Sequence, residues 1–430
     1  MRLPSKQLAS QIVQNLGQYG TPLSRGVSYY NVGTESILDA LEKHYLSSYL
    51  PEGGAAFKLV VGDYGSGKSH FLYCLRERAW AHRYAVSHVS LSPRECPYDD
   101  QKKVYGAVAK ALTWHDPNRD DSEPTTGLAD FLQRLLEDIL VQYGVPLGSD
   151  EALELDEVKA LLESFDNAHI DSTIYHYAVK GYLEAVLRGD AERQEVLSLW
   201  LHGEEISTAH MGMLRQLNVT QKLTRSNAFQ MLRSLAQSVR ALGFTGMCLL
   251  FDEMERLSLL SKRAMHNVAD NLREVIDRTR EDLPGTLFIY AVVPKFVSDV
   301  VPLYPALQQR LQAQAGRYFS DVNPFSPRID LERLDLDEQT LLVRIAERLL
   351  PIFEIAYEAR LNHELQAQNA HRLAQAALGF RFGTSHRRIF VRALIVEWYR
   401  QLRQGEVLLS DAQASEIVGG SGKDLESETY

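Results

Sequence analysis

The stretch Phe57-Lys58-Leu59-Val60-Val61-Gly62-Asp63-Tyr64-Gly65-Ser66-Gly67-Lys68-Ser69-His70-Phe71-Leu72 decides the fold. Phe57 to Val61 is a short apolar run ending in two β-branched residues, which suits a buried strand. Phe71, Leu72, Leu75 and Ala79 then recur at helical spacing. Between them, Gly62 to Ser69 satisfies G-x-x-x-x-G-K-[ST], and the strand, loop and helix around it supply the setting in which that pattern binds phosphate. The glycines let the backbone curl so that successive N–H groups point inward, and the N-terminus of the helix adds partial positive charge. On this reading Gly62, Asp63, Tyr64, Gly65, Ser66, Gly67, Lys68, Ser69 and His70 form the cradle. Lys68 reaches the β- and γ-phosphates of ATP, and the Ser69 hydroxyl takes Mg²⁺.

A phosphate cradle of this kind needs acids to complete the metal shell and to activate water. Cys248-Leu249-Leu250-Phe251-Asp252-Glu253 supplies an apolar strand that ends in two of them, a Walker B pattern. Asp252 is the expected Mg²⁺ partner and Glu253 the expected general base. Lys68 and Asp252 stand 184 positions apart, whereas one βαβ unit takes roughly thirty residues. Leucine-rich, acidic segments such as Leu132 to Val141 and Val158 to Phe165 fill the gap with helical periodicity, so an all-helical insertion is expected at about 116–224.

The rest of the chain alternates strands and helices. Ala85 to Leu91 and Thr286 to Val293 read as strands; Val104 to Trp114, Ser226 to Leu242 and Lys262 to Arg280 read as helices. Such alternation predicts an α/β fold with a parallel sheet covered on both faces. The expected organisation is a helical lead-in over 1–54, a P-loop core over 55–325, a helical lid over 326–418 and a mobile Gly/Ser/acid-rich tail over 419–430.

Composition narrows the class of protein. Hydrophobic residues make up 45 % and charged residues 24 % of 430 residues, values of a folded globular chain rather than a disordered one. The formal net charge of -10 argues against coating nucleic acid by bulk charge, so any DNA contact must be local. Cys74, Cys96 and Cys248 are too few and too scattered for a disulfide framework or CxxC metal pairs, which fits a reducing cytoplasm. The apolar runs fall far short of the roughly 20 residues that span a bilayer. Thirteen histidines occur without an HExxH pattern, and no GxSxG pattern stands out.

Taken together, the Phe57–Leu72 stretch, Asn31-Val32-Gly33-Thr34-Glu35-Ser36 ahead of it, Leu199-Trp200-Leu201-His202-Gly203-Glu204 inside the insertion and the Asp252-Glu253 strand end resemble the AAA+ ATPases of the origin-recognition type. Within these, the chain is similar to the ATP-binding proteins of BREX-type phage-defence loci (BrxD-like). The resemblance implies ATP and Mg²⁺ as ligands, a helical lid, a homo-oligomer, and work on DNA or on other defence-system proteins. Tyr304 to Leu311 is similar to the segment that presents an arginine finger, which makes Arg310 the candidate. Gly383 to Phe390 resembles the sensor 2 region, with Arg387 the candidate and Arg388 the alternative. Val293 stands where the family commonly has a polar sensor 1 residue, which implies slow hydrolysis. Local DNA contact falls on Arg372 to Arg403, where arginines alternate with Phe382, Phe390, Trp398 and Tyr399. A lid helix with core aromatics and solvated arginines is the other reading of that stretch. A slow nucleotide-dependent switch and a small-molecule P-loop kinase are the alternative functions.

Overall fold

The computed structural model describes residues 3–116, 123–279, 283–311, 318–379 and 386–427. Six strands form one sheet: β1 (Ala55–Val61), β2 (Tyr84–Ser90), β3 (Leu112–Thr113), β4 (Gly246–Asp252), β5 (Thr286–Val292) and β6 (Arg328–Asp330), in the order β3-β2-β4-β5-β1-β6. All neighbours are parallel except β2 and β3. The strand carrying the glycine-rich loop lies between β5 and β6, in register Val60↔Ala291 and Val60↔Ile329. Strands β4 and β5 are buried along their whole length. That explains why both read as continuous apolar runs rather than alternating ones.

Helices cover both faces. Phe57, Leu59 and Val61 point into a core shared with the insertion helices and with Ala228–Ala241 and Lys262–Arg278. Ala56 and Val60 point the other way, into a core shared with the lead-in helix Lys6–Tyr19, the helix Lys68–Ala81 and the lid helices Glu338–Tyr357, His363–Leu378 and His386–Gln404. The lid therefore shares one apolar core with the helix that starts at the phosphate loop.

The insertion is helical in every described element between 123 and 224, from Gly127–Tyr143 to Thr208–Gln216. Its Trp200 is buried and donates its indole N–H to the Gln221 carbonyl at 2.9 Å. Tyr105 donates to the Leu201 carbonyl at 2.7 Å, tying the insertion to the helix Gln101–Lys110.

Three elements differ from expectation. The helix expected over Val104 to Trp114 spans Gln101–Lys110, after which Leu112–Thr113 adds an antiparallel edge strand to β2. Strand β6 is three residues long, too short to show a period. The stretch from Gly419, expected as a mobile tail, continues the helix Asp411–Ser427. Its composition is poor for a helix, but Ala414 and Val418 bury completely in the lid core, and that packing outweighs propensity.

Candidate nucleotide-binding site

The glycine-rich loop leaves β1 and enters the helix Lys68–Ala81 through two residues in the left-handed region, Gly65 (φ 74°) and Gly67 (φ 95°). Glycine reaches that region without steric cost, so these two positions set the curl of the loop. At Gly62 the reason is different: a Cβ would stand 2.2 Å from the Ser66 Oγ. Gly67 caps the helix without a side-chain hydrogen bond, so the first-turn N–H groups remain available to an anion. Lys68 is 8 % exposed and donates to the carbonyls of Gly62 (3.0 Å) and Asp63 (3.1 Å). Tyr64 is largely exposed, with its ring centre 5.4 Å from the Lys68 Nζ.

The two halves of the motif meet. Ser69 donates its hydroxyl to Asp252 Oδ2 at 2.6 Å, although the residues are 183 positions apart. Burial opposes the Asp252 charge, but His88 at 3.8 Å and the Ser69 hydroxyl outweigh it and hold the carboxyl below its ordinary range. A hydroxyl and an ionised carboxylate in contact are the hard oxygen donors that Mg²⁺ prefers, so Ser69 and Asp252 fit that ion. Held there, Mg²⁺ would supply charge that offsets the β- and γ-phosphates.

Glu253 is the next residue, and its backbone N–H donates to Asp252 Oδ1 at 2.8 Å. It sits at φ 61°, a conformation that typically costs a non-glycine residue about 1–3 kcal/mol. Its carboxylate pairs with Arg256 at 2.6 Å. Burial raises the Glu253 carboxyl above its ordinary value; Arg256 works against the rise, and Asp252 and Glu255 add to it. A raised carboxyl pKa is the direction a general base needs.

The lid closes the site from the other side. Arg387 donates Nη1 to the Ser66 carbonyl inside the loop, whereas Arg388 donates Nε to the Tyr19 carbonyl of the lead-in at 2.8 Å. Geometry thus separates the two sensor 2 candidates: Arg387 reaches the cradle, and Arg388 bonds to the lead-in. Burial weighs against the Arg387 charge, and Glu332 and Glu338 support it. Glu332 also accepts from the Asp63 backbone N–H at 2.7 Å. On the helix side, His70 lies 3.2 Å from Asn31 Oδ1, which also accepts from the Thr34 hydroxyl at 2.8 Å. The Asn31–Ser36 segment therefore abuts the phosphate-loop helix. Burial, together with Arg387, pushes the His70 pKa down to about 4.

The family model for "BREX system ATP-binding protein BrxC/D" matches residues 5–411. The chain belongs to this BREX ATP-binding family. No curated protein and no solved structure matches the chain. Membership carries ATP binding within a phage-defence system, and it spans the lead-in, the insertion and the lid as well as the loop.

The remaining candidates of this BREX family member lie on other elements than the glycine-rich loop. Arg310, on the helix Pro305–Leu311, pairs with Asp277 of its own chain through two bonds of 2.5 and 2.9 Å. Val293 follows β5 as a buried apolar residue. In the basic stretch of the lid, Phe390 and Trp398 are core residues, and Arg400 makes two bonds to Glu397, three positions before it. Tyr399 is partly exposed beside Arg403. Arg381, Phe382 and Gly383 to Ser385 lie outside the described residues. Sequence reasoning missed Glu332, His88 and Glu255, which meet the site through tertiary structure. Only Glu255 had a signal, its place two residues after the Walker B acid. Among the described residues no helix is long and apolar enough to cross a membrane.

Proposed function

We propose that this chain hydrolyses ATP, with Glu253 as general base and a lid arginine reading the terminal phosphate. The observation that carries the reading is the 2.6 Å contact between Ser69 and Asp252, with Glu253 next in sequence. In this reading the contact joins the two expected metal ligands across the fold, and the expected base directly follows one of them in the chain. Glu253 takes a proton from water as its oxygen attacks the γ-phosphorus, and the bond from that phosphorus to the ADP oxygen breaks. Lys68 and Arg387 offset the charge that spreads over the phosphoryl oxygens, the positioning and electrostatic work expected of this chemistry.

Assembly belongs to the same proposal. Arg310 acts in trans on the γ-phosphate of a neighbouring copy in a homo-oligomer, and reaching it requires the Asp277 pair to open. DNA or other proteins of the defence system are the proposed partners, in the cytoplasm.

A second reading, a slow nucleotide-dependent switch, draws on two observations. Val293 offers no polar group at the strand end beside the Walker B strand, and the Glu253 carboxylate is paired with Arg256. Both favour low basal turnover that a partner or assembly raises. The test is phosphate release from Mg²⁺·ATP by the wild type and Glu253→Gln, at protein concentrations from dilute to saturating. No release by the wild type anywhere in that range overturns hydrolysis; release that appears only on assembly supports both readings together.

A further inference from the structure

The phosphate-loop lysine is held by the protein itself. Besides its bonds to the Gly62 and Asp63 carbonyls, the Lys68 Nζ lies 3.9 Å from Glu255 Oε1. Neither Walker B acid shares this contact, since Asp252 engages Ser69 and Glu253 engages Arg256. Both partners are shielded, with side-chain exposures of 8 % for Lys68 and 12 % for Glu255. The other oxygen of Glu255, Oε2, is buried without a hydrogen-bond partner. Glu255 sits on the short turn Met254–Leu259 that follows β4, between Met254 and Leu257, whose side chains are fully buried. Those anchors fix where the carboxylate stands.

We infer that Glu255 is a resident counter-ion for Lys68 that incoming nucleotide phosphate must displace. Attraction between opposite charges at this range grows as water is excluded, so the pair resists separation. A phosphate chain needs the same ammonium and brings negative charge toward Glu255. The carboxylate therefore opposes binding twice: it retains Lys68 on the loop, and it repels the ligand. Removing its charge tightens nucleotide binding, the opposite of the usual result of neutralising a polar group in a binding site. The inference rests on the reading of the P-loop as the nucleotide site and not on hydrolysis.

A fluorescent ADP analogue is titrated against the wild type, Glu255→Gln, Lys68→Met and the double variant, each checked for folding by its thermal melt. ADP keeps hydrolysis out of the readout. Glu255→Gln binds about tenfold tighter, the size expected when one unit charge near an anion is removed from a shielded site. Glu255→Asp, which keeps the charge but withdraws it from Lys68, falls between. Glu205→Gln, an acid on the insertion whose side chain is 90 % exposed, leaves affinity unchanged and controls for net charge. In the Lys68→Met background the gain from Glu255→Gln shrinks, because the contact it releases is gone. Affinity that is unchanged or weaker in Glu255→Gln overturns the inference. So does a full tenfold gain in the Lys68→Met background, which assigns the effect to direct repulsion alone. If Lys68→Met itself binds like the wild type, it is the reading of the P-loop as the nucleotide site that fails.

Discussion

Arg387, in the first turn of a lid helix, donates to the main-chain carbonyl of Ser66, 321 positions earlier, inside the phosphate loop. Because the lid shares its apolar core with the helix that begins at Lys68, this bond joins two parts of one packed layer. On the proposed reading, a phosphate in the cradle competes for the same guanidinium. Glu332, bonded to the Asp63 N–H, is a second tie between this part of the chain and the loop.

Arg387→Ala accordingly lowers turnover by about 10²-fold or more, the usual scale for removing one donor to developing charge. Arg388→Ala, whose side chain reaches the lead-in carbonyl of Tyr19, lowers it far less. Steady-state phosphate release on the two variants checks this, and equal losses would remove the distinction drawn from their geometry.

Glu253→Gln keeps the shape of the Walker B turn while giving up the base. Turnover falls by about 10²- to 10⁴-fold, whereas titration with a fluorescent ATP analogue gives an affinity close to that of the wild type. Lys68→Ala shows the reverse emphasis, with binding itself abolished or strongly weakened. A Glu253→Gln protein that turns over normally assigns water activation elsewhere.

The sequence revealed most of this site because its chemistry is local. Gly62 to Ser69 and Asp252-Glu253 are contiguous words, and the strands that carry them are buried on both faces, so their apolar runs are unambiguous. What it could not reveal depends on distant segments meeting. Glu332 and His88 reach the site only through the pairing of β6 with β1 and of β2 with β4. Of the two adjacent lid arginines, rotation about one helix axis decides which faces the loop, and no spacing rule selects between neighbours. The basic, aromatic stretch of the lid mixes core and surface positions: Phe390 and Trp398 turn inward and serve packing, whereas Tyr399 stays exposed.

His70 carries a pH dependence. Its folded-state pKa of about 4 lies below the value of about 6.5 that it has in an unfolded chain. Between those values the unfolded chain binds the extra proton, so the stabilising contribution of neutral His70 is complete above about pH 6.5 and is lost as the pH falls toward 4. His70→Gln retains an amide for Asn31 and has no such proton. The stability difference between wild type and His70→Gln, from urea unfolding at a series of pH values, is therefore constant above pH 6.5 and shifts against the wild type by at least about 1 kcal/mol across the window. A difference that stays flat down to pH 4 shows that His70 titrates like a solvent-exposed imidazole.

Arg310 tests assembly. In one copy it is held by Asp277 in a half-buried, bidentate pair. Acting on a neighbouring copy requires that pair to open. A finger in trans stabilises charge that develops only in the transition state, so Arg310→Ala depresses turnover much more than nucleotide affinity. Asp277→Asn, which releases the arginine, leaves turnover unchanged or raises it. The decisive experiment mixes Arg310→Ala subunits with Lys68→Ala subunits, each inactive alone. One kind of mixed interface joins an intact cradle to an intact arginine, and hydrolysis returns on mixing. Full activity of Arg310→Ala by itself, from dilute to saturating protein, reduces Arg310 to the surface partner of Asp277.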